Sequence, residues 1–162
     1  MNIYEELVSL LKEKKLKITF AESCTGGLLA AEVVSVPDAS SVFDGSFVTY
    51  SNEIKCRFAG VSSDTIDSFG AVSENVAVEM AKGAAMNTGA DVAVGVTGYA
   101  GPKKDENDTT AGTVCFGFTV NGKTMSSTRQ FGDVGRNAVR ELSAVYAAQT
   151  IIKLIKAYGD KK

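Results

Sequence analysis

Three short stretches hold the side chains able to do chemistry. The first, Ser23-Cys24-Thr25-Gly26-Gly27, sets two candidate nucleophiles side by side ahead of two glycines. The second, Tyr50-Ser51-Asn52-Glu53-Ile54-Lys55, offers a phenol and an amine. The third, Thr97-Gly98-Tyr99-Ala100-Gly101-Pro102, adds a hydroxyl and glycines that let backbone approach a ligand. What joins the three is an absence: the 162 residues include no histidine. Ser-His-Asp and Cys-His catalysis and imidazole-ligated zinc are therefore excluded, and a base must be Lys, Tyr, Asp or Glu.

Serine needs a base, and a partly desolvated lysine falls in pKa until it accepts a proton near neutrality. Ser23 with Lys55 is one answer, with Tyr50 relaying a proton or positioning the amine. Cys24 is another, since a thiol beside a helix N-terminus is acidified and needs less help. A strand running into residues 23–27 and then a helix would aim free N–H groups at an anion, either a phosphate or the oxyanion of a tetrahedral intermediate. The stretch fits neither the P-loop nor the dinucleotide fingerprint. Plainer readings stand beside these: an N-cap with a tight turn, a buried inert cysteine, an exposed helix lysine, and a simple turn at 97–102. Arg136 and Arg140 lie four apart near the start of the last helix, where cations are mildly unfavourable, so a ligand anion or an acid is expected to hold one of them. Asp105, Glu106 and Asp108 read as a solvated loop, and no metal site is expected.

The elements that must position these residues follow from periodicity. Apolar residues at helical spacing predict a helix over 2–15, and a strand follows over 17–22. A second helix is expected from Thr25 to about Val34, ended by Pro37. Residues 41–50 have the Val, Phe and Thr content of a strand, and 52–58 read as a short helix stopped by Gly60. Ser73 caps the clearest helix, 73–88, with Gly89 beyond its end. Residues 91–97 form a buried strand, and 99–111 a polar loop. Strands over 112–120 and 123–131 flank Asn121-Gly122, a strong hairpin signal. A long helix, about 135–158, closes the chain. This alternation predicts an α/β fold, a single-domain three-layer sandwich whose mixed, mostly parallel sheet is covered by helices on both faces. Ligands bind such sheets at the carboxyl ends of strands. The stretches 22–27, 50–55 and 97–102 fall there, whereas 131–136 is not clearly so placed.

Composition bounds the rest. Seventeen basic and nineteen acidic residues give a formal charge of −2, which argues against a nucleic-acid partner. No apolar run is long enough for a membrane span, and the opening residues lack the order of a signal peptide, so a cytoplasmic location is expected. The three cysteines, Cys24, Cys56 and Cys115, do not suggest a disulfide framework.

The stretches AESCTGGLLAA (21–31), TYSNEIK (49–55), GAVSENVAVEMAKGA (70–84), VGVTGYAGP (94–102) and GTVCFGF (112–118) occur in this order. Together they resemble the CinA carboxy-terminal domain family, which includes stand-alone amidases of the PncC type. The resemblance implies one amidase domain over 1–162 that converts nicotinamide mononucleotide to nicotinate mononucleotide and ammonia, without a metal or organic cofactor. It also implies a role in pyridine nucleotide salvage and a homo-oligomer, with a dimer as the first expectation. On the same ground Ser23 is the nucleophile, Lys55 its base and Tyr50 their helper. Backbone around Cys24, Thr25, Gly26 and Gly27 would hold the oxyanion. Asn52, Thr97, Gly98 and Gly101 would contact substrate, with Arg136 or Arg140 on its phosphate. Two departures bear on that phosphate: KKDENDTT (103–110) replaces a glycine-rich loop, and GDVGRNAVR (132–140) has one residue more than the usual GDR-x-x-IR lead. They leave two alternatives open, a hydrolase of another amide or nucleotide and a non-catalytic nucleotide sensor.

Overall fold

The computed structural model describes residues 1–161. Helix α1 (Ile3–Lys14) opens on a capping box in which Asn2 accepts from the Tyr4 and Glu5 amides while Glu5 returns to the Asn2 amide. Strand β1 (Ile18–Glu22) is buried throughout and leads through a turn into α2 (Leu28–Val34). A short 3₁₀ turn (Ala39–Ser41) precedes β2 (Phe47–Val48), and α3 (Asn52–Ala59), α4 (Ser63–Phe69) and α5 (Glu74–Thr88) follow. Strands β3 (Val92–Gly98), β4 (Thr113–Val120) and β5 (Lys123–Gln130) complete the sheet, and α6 (Arg136–Tyr158) closes the described chain.

The sheet order is β2-β1-β3-β4-β5. β1 pairs in parallel with β2 and β3, while β4 runs antiparallel to both β3 and β5. Strand β5 therefore points the same way as β1, β2 and β3. Asn121 and Gly122 both have positive φ, 49° and 83°, as a two-residue hairpin turn requires. Helices α1, α2 and α6 cover one face and α3, α4 and α5 the other. Even-numbered residues of β1 and β3 (Ile18, Phe20, Val92, Val94, Val96) meet Leu7, Leu11, Leu29, Ile151 and Ile155 on the first face. Each such side chain contributes about 1.5–3 kcal/mol by leaving water. The opposite face of the sheet carries small residues. A Cβ at Gly95 or Gly117 would overlap the Ala77 backbone of α5, and one at Gly83 would overlap the Ala59 carbonyl of α3. Helix α5 thus lies against the sheet, and α3 against α5, through bare backbone.

The expected architecture is present as one α/β domain, with local corrections. Of the strand expected over 41–50 only Phe47–Val48 pairs, with an isolated bridge from Phe43 to Ile18. The intervening residues are spent on side-chain contacts: Asp44 pairs with Lys17, and the Gly45 carbonyl accepts from Thr19. The second helix begins at Leu28 rather than Thr25, because Gly26 and Gly27 take positive φ of 59° and 102° and turn the chain first. Helix α4 was not expected, since Ser63–Phe69 has too few apolar residues to show a period, and none of its residues is fully buried. The fourth stretch, 131–136, does leave a carboxyl end on the shared side, because the hairpin returns β5 to the common direction. Among the described residues no helix is long and apolar enough to cross a membrane.

Candidate active site

The carboxyl ends of β1, β2, β3 and β5 surround a cavity of about 300 Å³, at the lower bound of small-molecule sites. Its floor is formed by Ser23 and Cys24 after β1, Lys55 from α3, and Thr97 and Gly98 at the end of β3. Tyr50, Asn52, Gly101 and Arg136 stand around it.

Lys55 sits on the first turn of α3, which starts where the Ser51 hydroxyl accepts from the Ile54 amide. The helix points the amine inward, and Lys55 is 2% exposed. Its Nζ donates to the carbonyls of Thr49 at 2.9 Å and Tyr50 at 3.0 Å, and lies 2.9 Å from Ser23 Oγ. Among the described residues no carboxylate pairs with it. Burial without a counter-ion lowers its pKa, and the nearby thiols of Cys24 and Cys56 only partly oppose this. A neutral amine has two N–H donors and one lone pair. Carbonyls can only accept, so Thr49 and Tyr50 take the two donors and the lone pair is left for the Ser23 hydroxyl.

Cys24 does not share this activation. It is 6% exposed, and burial pushes its thiol up to about 11, against the acidification expected beside a helix end. The anion site expected at the start of α2 is also taken. Glu22, fully buried, accepts from the Leu29 and Ala30 amides at 2.9 and 3.2 Å, so the helix terminus is capped from within the chain. Thr25, Gly26 and Gly27 lie in the turn itself and do not line the cavity. The amide of Cys24 donates to no group among the described residues.

The two arginines separate. Arg136 lines the cavity and donates to the Gly101 carbonyl at 2.7 Å and the Tyr50 phenol at 3.0 Å. Arg140 turns away and binds the carbonyls of Cys24 and Thr25. Tyr50, 63% exposed as a residue, meets Lys55 through its carbonyl, while its phenol accepts from Arg136. Thr97, 1% exposed, donates to the Ala71 carbonyl at 2.8 Å and so fastens the loop that brings Ala71 and Val72 to the cavity.

Several lining residues were not among the candidates. Lys104, Asp108 and Thr110 come from the 103–110 region, singled out in the sequence by its departure from the glycine-rich pattern and by an acidic cluster read as a solvated loop, and Ala111 follows it. Asp108 accepts from the Thr110 hydroxyl, the Thr110 amide and the Lys104 amide, which hold its carboxyl well below the usual range and fold the loop upon itself. Lys104 and Arg136 have no carboxylate partner among the described residues. Ala71, Val72 and the Thr49 carbonyl act through backbone or shape, for which sequence carries no signal.

Residues 1–155 match the model of the CinA C-terminal domain family. A nicotinamide-nucleotide amidohydrolase PncC from Enterobacter agglomerans is 45% identical over 91% of this chain and 90% of its own length. A CinA-like protein from Kosmotoga olearia is 42% identical over 90% of this chain, which spans 35% of that longer relative. Among solved structures, a competence-damaged protein (CinA) superfamily protein from Escherichia coli superposes with a TM-score of 0.89 at 35% identity, covering 94% of this chain and 88% of the other. A competence/damage inducible protein from Agrobacterium tumefaciens gives 0.88 at 35% identity, covering 95% and 96%.

Proposed function

This chain belongs to the CinA C-terminal domain family, and from that premise we propose that residues 1–162 are a nicotinamide-nucleotide amidase domain, hydrolysing nicotinamide mononucleotide to nicotinate mononucleotide and ammonia. The observation that carries the reading is the buried, unpaired Lys55 amine 2.9 Å from the Ser23 hydroxyl.

Neutral Lys55 takes the Ser23 proton as Oγ attacks the carboxamide carbon. The carbonyl oxygen becomes an oxyanion, and the Cys24 amide is a free donor beside it; one such donor is worth about 3 kcal/mol in the transition state. Lys55 then passes the proton to the departing nitrogen, the C–N bond breaks, and ammonia leaves an acyl-serine. Water, deprotonated by the same amine, cleaves the ester and restores Ser23. Tyr50 holds Lys55 through its carbonyl and Arg136 through its phenol. The nucleotide phosphate meets Arg136, and Lys104 adds a second cation at the mouth of the cavity. Thr97 and Gly98 complete the floor under the substrate, and Asn52 and Gly101 shape the walls. No cofactor enters these steps. The working form is a cytoplasmic homo-oligomer acting on a small nucleotide, without nucleic acid or membrane.

Incubation of purified protein with nicotinamide mononucleotide should release ammonia and nicotinate mononucleotide, and Ser23→Ala should abolish the release. No release by the wild type, or undiminished release by the variant, overturns the reading. The loop 103–110 favours a second substrate reading, a different phosphorylated amide. Parallel assays of related amides decide it, and strict preference for nicotinamide mononucleotide rejects it.

A further inference from the structure

Arg136 and Arg140 occupy one face of α6, yet only Arg136 faces the cavity. All three Arg140 nitrogens are engaged elsewhere. Nε donates to the Cys24 carbonyl at 3.0 Å, Nη2 to the Thr25 carbonyl at 3.1 Å, and Nη1 to Asn137 Oδ1 at 3.0 Å. Two successive carbonyls therefore converge on one cation. Carbonyl dipoles aimed at one place repel each other, and partly buried ones need a donor, so the turn keeps this shape because the guanidinium fork is there.

The consequence follows from peptide planarity. In a trans peptide the C=O of one residue and the N–H of the next point in opposite directions. Fixing the Cys24 carbonyl fixes the Thr25 amide, and fixing the Thr25 carbonyl fixes the Gly26 amide, which returns to the Ser23 carbonyl at 3.0 Å. The loop is thus closed back on the backbone of Ser23. Gly26, with φ of +59°, brings the chain over the guanidinium; a Cβ there would sit 3.5 Å from Nη2.

We infer that Arg140 is a positioning residue for Ser23: it locks the Cys24–Thr25 and Thr25–Gly26 peptide planes of the turn that follows the serine and takes no part in binding substrate phosphate. This rests on the reading of Ser23 as the nucleophile only in its effect on rate; the lock itself is a property of the turn. Arg136 remains the phosphate ligand, so the pair divides into one residue that sets reactivity and one that sets affinity.

The test compares wild type, Arg140→Ala, Arg140→Lys and Arg136→Ala by three measurements. These are kcat and KM with nicotinamide mononucleotide, the rate at which phenylmethanesulfonyl fluoride, which carries no phosphate, modifies Ser23, and hydrogen exchange in peptides spanning residues 24–30. Arg140→Ala should lower kcat and the sulfonylation rate together by about 10- to 100-fold, a range typical of losing charge-assisted hydrogen bonds. KM should change less than about twofold, and exchange in 24–30 should quicken. Added guanidinium should restore part of the rate, and Arg140→Lys should fall between. A raised KM with kcat and sulfonylation unchanged would make Arg140 a phosphate ligand and overturn the inference. So would unchanged exchange in a folded Arg140→Ala protein, and Arg140→Lys decides in the same way if the alanine variant does not fold. The reading of Ser23 fails separately: the wild type would then neither turn over nor be sulfonylated, and exchange alone would decide for or against the lock.

Discussion

The floor and the rim of the cavity are built differently. On the floor, Ser23, Lys55 and Thr97 are 7%, 2% and 1% exposed, and the lysine and threonine are tied to backbone carbonyls. These groups sit just after β1, on the first turn of α3 and near the end of β3. On the rim, Tyr50, Lys104 and Arg136 are exposed and reach in from loops and a helix start. The contrast teaches a division of labour. The groups proposed for the reaction are buried at the ends of sheet strands and on a packed helix, while the cations proposed to meet the ligand stand exposed at the mouth.

Substitutions can break or sharpen this contrast. The largest effect belongs to the floor. Lys55→Ala and Lys55→Arg should each lower turnover by about 10⁴-fold or more, the arginine because it stays charged, with far-ultraviolet circular dichroism unchanged. Equal loss from a rim variant such as Lys104→Ala would erase the distinction. Next comes the backing of the floor: Gly83→Ala should destabilise the fold by about 1–3 kcal/mol in urea denaturation, because the new methyl meets the Ala59 carbonyl at the end of the helix bearing Lys55. On the rim, Arg136→Ala should raise KM about 10- to 100-fold with little change in kcat, as expected for losing a charge-assisted phosphate contact. Lys104→Ala should raise it only about two- to fivefold, since an exposed cation screened by solvent contributes less.

The smallest effect is in pH. Lys55 has a folded-state pKa below its unfolded value of about 10.5. Between the two the unfolded chain binds more protons, so stability rises with pH through that window and is reduced by the full amount below the folded pKa. The stability of wild type relative to Lys55→Met should rise with pH up to about 10.5, the difference isolating Lys55 from Cys24, whose raised thiol works in the opposite direction above about 9. In the same direction, kcat/KM should climb as Lys55 loses its proton, with an apparent pKa below 10.5.

Much of the floor was legible in the sequence. With no histidine, a lysine was the plausible base, and the strand-end rule put Ser23, Lys55 and Thr97 on one side. Strand β3 declared itself as buried by its run of valines, alanine and glycine, and β1 as a strand by its β-branched and aromatic residues. What stayed hidden acts through backbone. Nothing in the identity of Thr49 says that its carbonyl holds an amine, and nothing in Arg140 says that it grips two carbonyls rather than a phosphate. Glu22 sat inside the motif, but its capping role depends on the helix starting three residues later than expected, after Gly26 and Gly27 turn. Likewise α4 has no periodicity to betray it, and β2 shrank because Asp44 and Gly45 serve side-chain contacts.

The bare contacts at Gly83, Gly95 and Gly117 have a further meaning. They make the interval between the middle of the sheet and the lysine-bearing helix, with α5 between them, a matter of main chain against main chain, like rulers laid edge to edge. Mutational drift across the surrounding side chains leaves such a gauge unaltered, whereas one added carbon at any of the three marks resets it.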